Sequence, residues 1–136
     1  AADYTDALII GSDQVASCGA DVLSKPGNHE NAVRQLMLLS GKEALFHTGI
    51  CVHNTDSGIT LCRMVTNSVR FRALSEESIT RYLTKEKPYD CAGSAKSEGL
   101  GISLIEKLGG DDPNALIGLP LIALIDMLKE HGLEIP

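Results

Sequence analysis

No run of about eighteen consecutive apolar residues occurs in this sequence, which excludes a membrane-spanning helix. The opening residues, Ala1 to Asp6, also lack the basic-then-apolar order of a signal peptide. A soluble, cytoplasmic protein with no membrane partner is expected. There is no surplus of basic residues either. Lysine and arginine total 12 against 18 aspartates and glutamates, a net charge of −6, which argues against a nucleic acid polymer as partner. A small phosphate ligand stays compatible, because a few lysines and a divalent cation neutralise it locally whatever the net charge. The four cysteines (Cys18, Cys51, Cys62, Cys91) contain no CxxC pair, so they form neither a secreted disulfide framework nor a zinc knuckle. They read as reduced thiols. No Walker A loop, internal repeat or low-complexity tract is present.

What is there suits one domain over residues 1–136, with 43% hydrophobic residues available for a core. Ala7 to Ile10 is an unbroken apolar run closed by Gly11 and Ser12, which predicts a central strand buried on both faces. Val15 to Cys18 and Asp21 to Leu23 flank Gly19-Ala20 as a small hairpin. Asn28 offers a helix N-cap, and Ala32, Val33, Leu36, Met37 and Leu39 recur at helical spacing until Ser40-Gly41. Ala44 to His53 and Ile59 to Arg72 predict a long hairpin turning at Asn54 to Gly58. Ser75 caps a second helix bounded by Pro88, with Leu74 and Ile79 placed as a hydrophobic staple. Cys91 to Gly101 is a glycine- and serine-rich loop, and Ile102 to Leu108 reads as a strand. Asp112-Pro113 starts a helix, and Leu121 to Leu128 form the last one. The order implies an α/β fold with a mixed sheet and flanking helices.

Ligands of α/β sheets collect beyond the carboxyl ends of strands, which draws attention to Ser12, Asp13 and Gln14. Asp13 is either a turn aspartate accepting backbone N–H bonds or a general base or metal ligand. Lys25, held before Pro26, is either a solvated lysine or a phosphate contact. Lys96 and Glu98 are either an opposite-charge pair in a flexible loop or a second set of ligand contacts. If Asn54 faces Ile59 across the hairpin, Cys51 faces Cys62 with His47 and His53 on the same side, but no ligand pair has the short spacing of a zinc site, and a metal there is set aside.

Several segments together carry a resemblance. They are Leu8 to Val15 (LIIGSDQV), Leu23 to Gly27 (LSKPG), Asn31 to Leu36 (NAVRQL), Phe46 to Gly49 (FHTG), Val69 to Arg72 (VRFR), Tyr89 to Gly101 (YDCAGSAKSEGLG) and Ile117 to Leu121 (IGLPL). In this order the chain resembles the Maf family of nucleoside triphosphate pyrophosphatases over essentially its whole length. The resemblance implies a two-lobed fold related to the inosine triphosphatase-like enzymes, with a nucleotide cleft between the lobes. It implies that Asp13 accepts the proton of an attacking water and binds a divalent cation, Mg²⁺ or Mn²⁺. Ser12, Gln14, Lys25, Lys96 and Glu98 would contact the nucleotide. Gln14 and Glu98 look like the branch acting on 7-methyl-GTP, since a carboxylate can accept two hydrogen bonds from the guanine N1–H and N2–H₂ edge. The family's opening Ser-x-Ser-Pro-x-Arg loop and the lysine-bearing helix that follows do not occur before Ala7, and no tryptophan supplies the branch's aromatic. The resemblance thus implies an N-terminally shortened domain. A non-catalytic remnant or a cell-division binding protein of the same fold is the alternative, and a homodimer is expected from apolar surface left uncovered.

Overall fold

The structure, a computed structural model, describes residues 6–136; the opening stretch 1–5, read above against a signal peptide, lies outside the described residues. Five strands and four helices follow one another as β1 (Leu8–Cys18), β2 (Asp21–Leu23), α1 (His29–Leu39), β3 (Glu43–Asn54), β4 (Thr60–Phe71), α2 (Glu76–Glu86), β5 (Ile105–Gly109), α3 (Pro113–Ile117) and α4 (Leu121–Glu130). Two 3-10 turns, Ala92–Ser94 and Leu100–Leu104, sit between α2 and β5. The strands form one sheet in the order β2-β1-β3-β4-β5.

Local chemistry explains most element ends. The Asn28 side chain accepts the Asn31 N–H at 2.9 Å and starts α1, whose Ala32, Leu36 and Leu39 are buried. Such a cap contributes about 1 kcal/mol. Ser75 and Ser78 exchange hydrogen bonds as a capping box for α2, and Glu76 and Glu77 complement the positive end of its dipole. Leu74 packs against the core cluster to which the buried Ile79 belongs.

One sheet face holds the core. On β3, Ala44, Phe46, Thr48, Ile50 and Val52 alternate onto it and all are buried. Ala44 and Phe46 join a large cluster with Leu36 and Leu39 of α1, Ile79 and Leu83 of α2, and Phe71. Ile50 and Val52 join a smaller cluster with Leu124 and Met127 of α4. Thr48 lies between, so the core divides in two on one continuous strand.

Five expectations are corrected, the first being that Gly11 and Ser12 do not close a strand: β1 runs unbroken from Leu8 to Cys18 and carries Ser12, Asp13 and Gln14 in mid-strand. Every strand pairing among the described residues is antiparallel rather than mixed, because β3 to β4 is a hairpin and β1 receives β3 running back alongside it. Among the described residues Leu8 to Val15 pair with β3 alone, since β2 reaches no further than Ala16, and Ile10 is 45% exposed rather than buried. Only Ile105 onward is strand; Leu100 to Leu104 turn as 3-10 helix. Lastly, Cys51 and Cys62 are joined as a disulfide rather than reduced. The hairpin register sets them opposite, where the Asn54–Gly58 turn placed them, with Cα atoms 4.1 Å apart. Cys18 and Cys91 are free thiols. His47 and His53, placed beside this pair by the same register, meet Thr66 and Thr60 across the strands at 2.9 and 2.7 Å.

Candidate active site

β1 carries Ser12, Asp13 and Gln14 to the place where the two halves of the core part. Gln14 lies opposite Thr48 on β3, and its amide Nε2 donates to the carbonyl oxygens of Ala115 and Leu116 at 3.0 and 3.1 Å. The Thr48 hydroxyl donates to the same Ala115 oxygen at 3.0 Å. Ser12 Oγ reaches Gly118 O at 2.9 Å and Gly49 O at 3.0 Å. Polar side chains of the sheet therefore clamp the last turn of α3, which becomes one wall of a cleft.

A buried carboxylate fixes the other side of that wall. One oxygen of Asp112 accepts the Asn114 N–H at 2.9 Å and caps α3, while the other accepts the Ile122 N–H at 2.7 Å in the first turn of α4. Burial opposes its ionisation, but these bonds and a third from the Asn114 amide outweigh it and hold the Asp112 carboxyl below the usual carboxylate range. Proline at position 120 leaves α4 without a cap of its own, so Asp112 serves both helices.

The cleft measures about 240 Å³ and is lined by Ser12, Asp13, Gln14, Lys25, Asp90, Cys91, Ala92, Ala95, Glu98, Leu116, Ile117 and Gly118. Five of the six residues singled out from the sequence meet here. Asp13 is exposed, with one carboxylate oxygen taken by the Gln14 N–H at 2.8 Å, so its second oxygen can face a ligand. Lys25 stands on a segment that is tied down on both sides: Gln35 Nε2 donates to Ser24 O at 2.7 Å, and Gly27 N donates to Tyr89 O at 2.9 Å. Lys96 is the exception. It is not among the lining residues; its backbone N–H donates to the Tyr82 hydroxyl at 3.0 Å. Burial pushes that hydroxyl's pKa well up, so it stays protonated and donates to Ser94 O at 2.9 Å, which pins the glycine loop on α2.

Asp90 is the lining residue that sequence reasoning missed, although its neighbours Tyr89 and Cys91 belong to the recognised segment. Burial raises the Cys91 thiol, with the Asp90 carboxylate beside it adding to the effect, so Cys91 is a poor nucleophile at neutral pH. The lining holds three carboxylates (Asp13, Asp90, Glu98) and one ammonium (Lys25), a formal charge of −2. An anionic ligand would enter only with a cation. No group of three or more histidine, cysteine, aspartate or glutamate side chains gathers to hold a metal among the described residues. Hard carboxylate oxygens in ones and twos instead suit Mg²⁺ or Mn²⁺ shared with substrate phosphates.

A second, more apolar cleft of about 430 Å³ adjoins the first. It shares Glu98, Leu116 and Ile117 with it and adds Leu108, Pro113, the Gly109-Gly110 backbone and Asn67. Asn67 is 5% exposed; its Nδ2 donates to Asp112 O at 3.0 Å while its buried Oδ1 has no protein partner among the described residues.

A small antiparallel α/β domain with a polar cleft opening into an apolar one is a class of structure that can hold a small molecule. The chain belongs to the Maf-like protein family, whose model matches residues 1–131. It is 57% identical to a 7-methyl-GTP pyrophosphatase of Idiomarina loihiensis, over 96% of this chain and 66% of that protein. It is 53% identical to one of Colwellia psychrerythraea, over 98% and 66%, and 55% identical to one of Nitrosospira multiformis, over 99% and 68%. The chain thus spans about two thirds of the length of these curated relatives.

Proposed function

We propose that the protein is a nucleoside triphosphate pyrophosphatase that cleaves 7-methyl-GTP, or a closely related modified nucleotide, to the monophosphate and pyrophosphate. The observation that carries this reading is the meeting of Asp13, Lys25 and Glu98, from three separate segments, in one cleft. The names of the similar proteins point the same way.

In this reading the free oxygen of Asp13 takes a proton from water as the water oxygen bonds to the α-phosphorus. The bond from that phosphorus to the bridging oxygen breaks, and pyrophosphate leaves. Little covalent help is needed, only an oriented water and neutralised charge. Lys25 meets phosphate oxygens, and Ser12 holds the wall beside them. Asp13 and Asp90 supply oxygen donors for Mg²⁺ or Mn²⁺, which when bound would offset phosphate charge. The base occupies the adjoining apolar cleft, where Glu98, common to both clefts, accepts from the guanine N1–H and N2–H₂ groups. The cationic 7-methylated ring is further favoured by that carboxylate. Lys96, outside the lining, steers phosphate toward the cleft over a distance.

We place this reaction in the cytoplasm. No helix among the described residues is long and apolar enough to cross a membrane. A homodimer belongs to the same reading, supported by exposed Ile10, Val15 and Met64. The deciding experiment is pyrophosphate release from 7-methyl-GTP with Mg²⁺, measured for this chain and for a version extended to the full length of its relatives. Failure of the extended protein defeats the enzyme reading in favour of a binding role.

A further inference from the structure

Another cleft, of about 400 Å³, shares no lining residue with the two just described. One wall is a face of α2, where Ser78, Arg81 and Lys85 follow at spacings of three and four. The opposing walls are Arg72 to Leu74, just beyond β4, and the 3-10 turn that includes Ser103. These walls are held in place by hydrogen bonds: Arg72 N donates to Leu104 O at 2.9 Å, Leu74 N donates to Ser40 Oγ at 2.7 Å, and Ser103 Oγ donates to Leu100 O at 2.7 Å.

Three cations, Arg72, Arg81 and Lys85, line this space, and no carboxylate does. None of the three forms an ion pair among the described residues; the ion pairs present use Arg63 and Arg70. Glu86, next along α2, is turned to the Leu100 N–H at 3.3 Å. In a chain with 18 acidic and 12 basic residues, a cleft lined by three unneutralised cations is unexpected. Arg81 and Lys85 are like charges one helical turn apart and neither forms an ion pair among the described residues, so a bound anion would relieve their repulsion. The guanidinium fork binds phosphoryl oxygens in pairs, and the ammonium acts as a point charge.

We propose that this cleft is a second binding site, separate from the candidate active site, for a small ligand bearing a di- or triphosphate group held by Arg72, Arg81 and Lys85. Its size suits a small molecule better than a protein segment. The site does not depend on the hydrolytic reading, since Asp13, Lys25 and Glu98 lie outside it.

Titration of the full chain with inorganic pyrophosphate, followed by backbone amide shifts and calorimetry, tests this. Shifts are expected over residues 72–74, 78–85 and 100–104. Arg81→Gln and Lys85→Gln, at exposed helix positions where glutamine is a good helix former, are each expected to weaken binding about tenfold while leaving the fold intact. Asp13→Asn is expected to leave these shifts unchanged, which separates this site from the other cleft. Shifts confined to the Lys25 cleft, affinity indifferent to Arg81→Gln, or tighter binding of a poly-glutamate peptide than of pyrophosphate would each overturn the proposal.

Discussion

Gln14 on β1 and Leu116 on α3 stand 102 positions apart in the chain, yet the Gln14 amide donates to the Leu116 carbonyl oxygen at 3.1 Å. With Ala115 O and Thr48 Oγ1 also within reach, the donor end of Gln14 is committed to the protein, and only its carbonyl oxygen is left for a ligand. Gln14→Glu places a carboxylate against two carbonyl oxygens. We expect it to lower stability by about 1–3 kcal/mol in denaturant titration and to raise KM by loosening the α3 wall. An unchanged unfolding midpoint would show that the clamp contributes nothing.

Asp13→Asn keeps the side chain's shape and can still accept the Gln14 N–H, but it removes the proton acceptor. In the full-length protein, turnover of 7-methyl-GTP should fall about 10²- to 10⁴-fold with no change in circular dichroism. Full activity in this variant would remove Asp13 from the chemistry.

Glu98→Gln tests base reading. The amide offers one acceptor atom where the carboxylate offers two, and it carries no charge for a cationic ring. Activity on 7-methyl-GTP should fall more than activity on UTP or dTTP. Equal losses would make Glu98 a phosphate-side or structural residue instead.

Asp112 makes stability depend on acid. Its carboxyl is held below the usual range in the folded protein, so the stabilisation is complete above the unfolded carboxyl's value, about 4, and is lost as pH falls through the lower folded one. Thermal unfolding between pH 6 and pH 2 should therefore decline more steeply for the native protein than for Asp112→Asn. Asp112→Ala should cost about 1–3 kcal/mol at neutral pH, because the starts of α3 and α4 both lose an acceptor.

The Cys51–Cys62 bridge predicts a thiol count. Unreduced, denatured protein should label at two cysteines, Cys18 and Cys91, and reduced protein at all four. In the native state Cys18 is buried and the Cys91 thiol is raised, so alkylation at neutral pH should be slow at both. Four reactive thiols without reductant would show that the pair faces across the hairpin unbonded, as a reducing compartment favours.

Features set by near neighbours were legible without coordinates. Asn28, Ser75 and Asp112 announce helix starts because a short polar side chain finds its N–H partner two or three residues on. The turn at Asn54 to Gly58 sets the β3–β4 register, and with it the opposition of Cys51 and Cys62. Asp13, Lys25 and Glu98 could be singled out, and the family with them, because each sits in a segment of distinctive local composition. What depends on chain closure was decided only in three dimensions. Among the described residues β2 pairs with β1 only at Ala16 to Cys18, Asp90 lines the cleft with residues far from it in the chain, and Gln14 spends its donors on a helix far along the chain. Such outcomes follow from which surfaces exclude water together and which buried polar groups must then find partners. Those are sums over distant residues that local pattern does not carry.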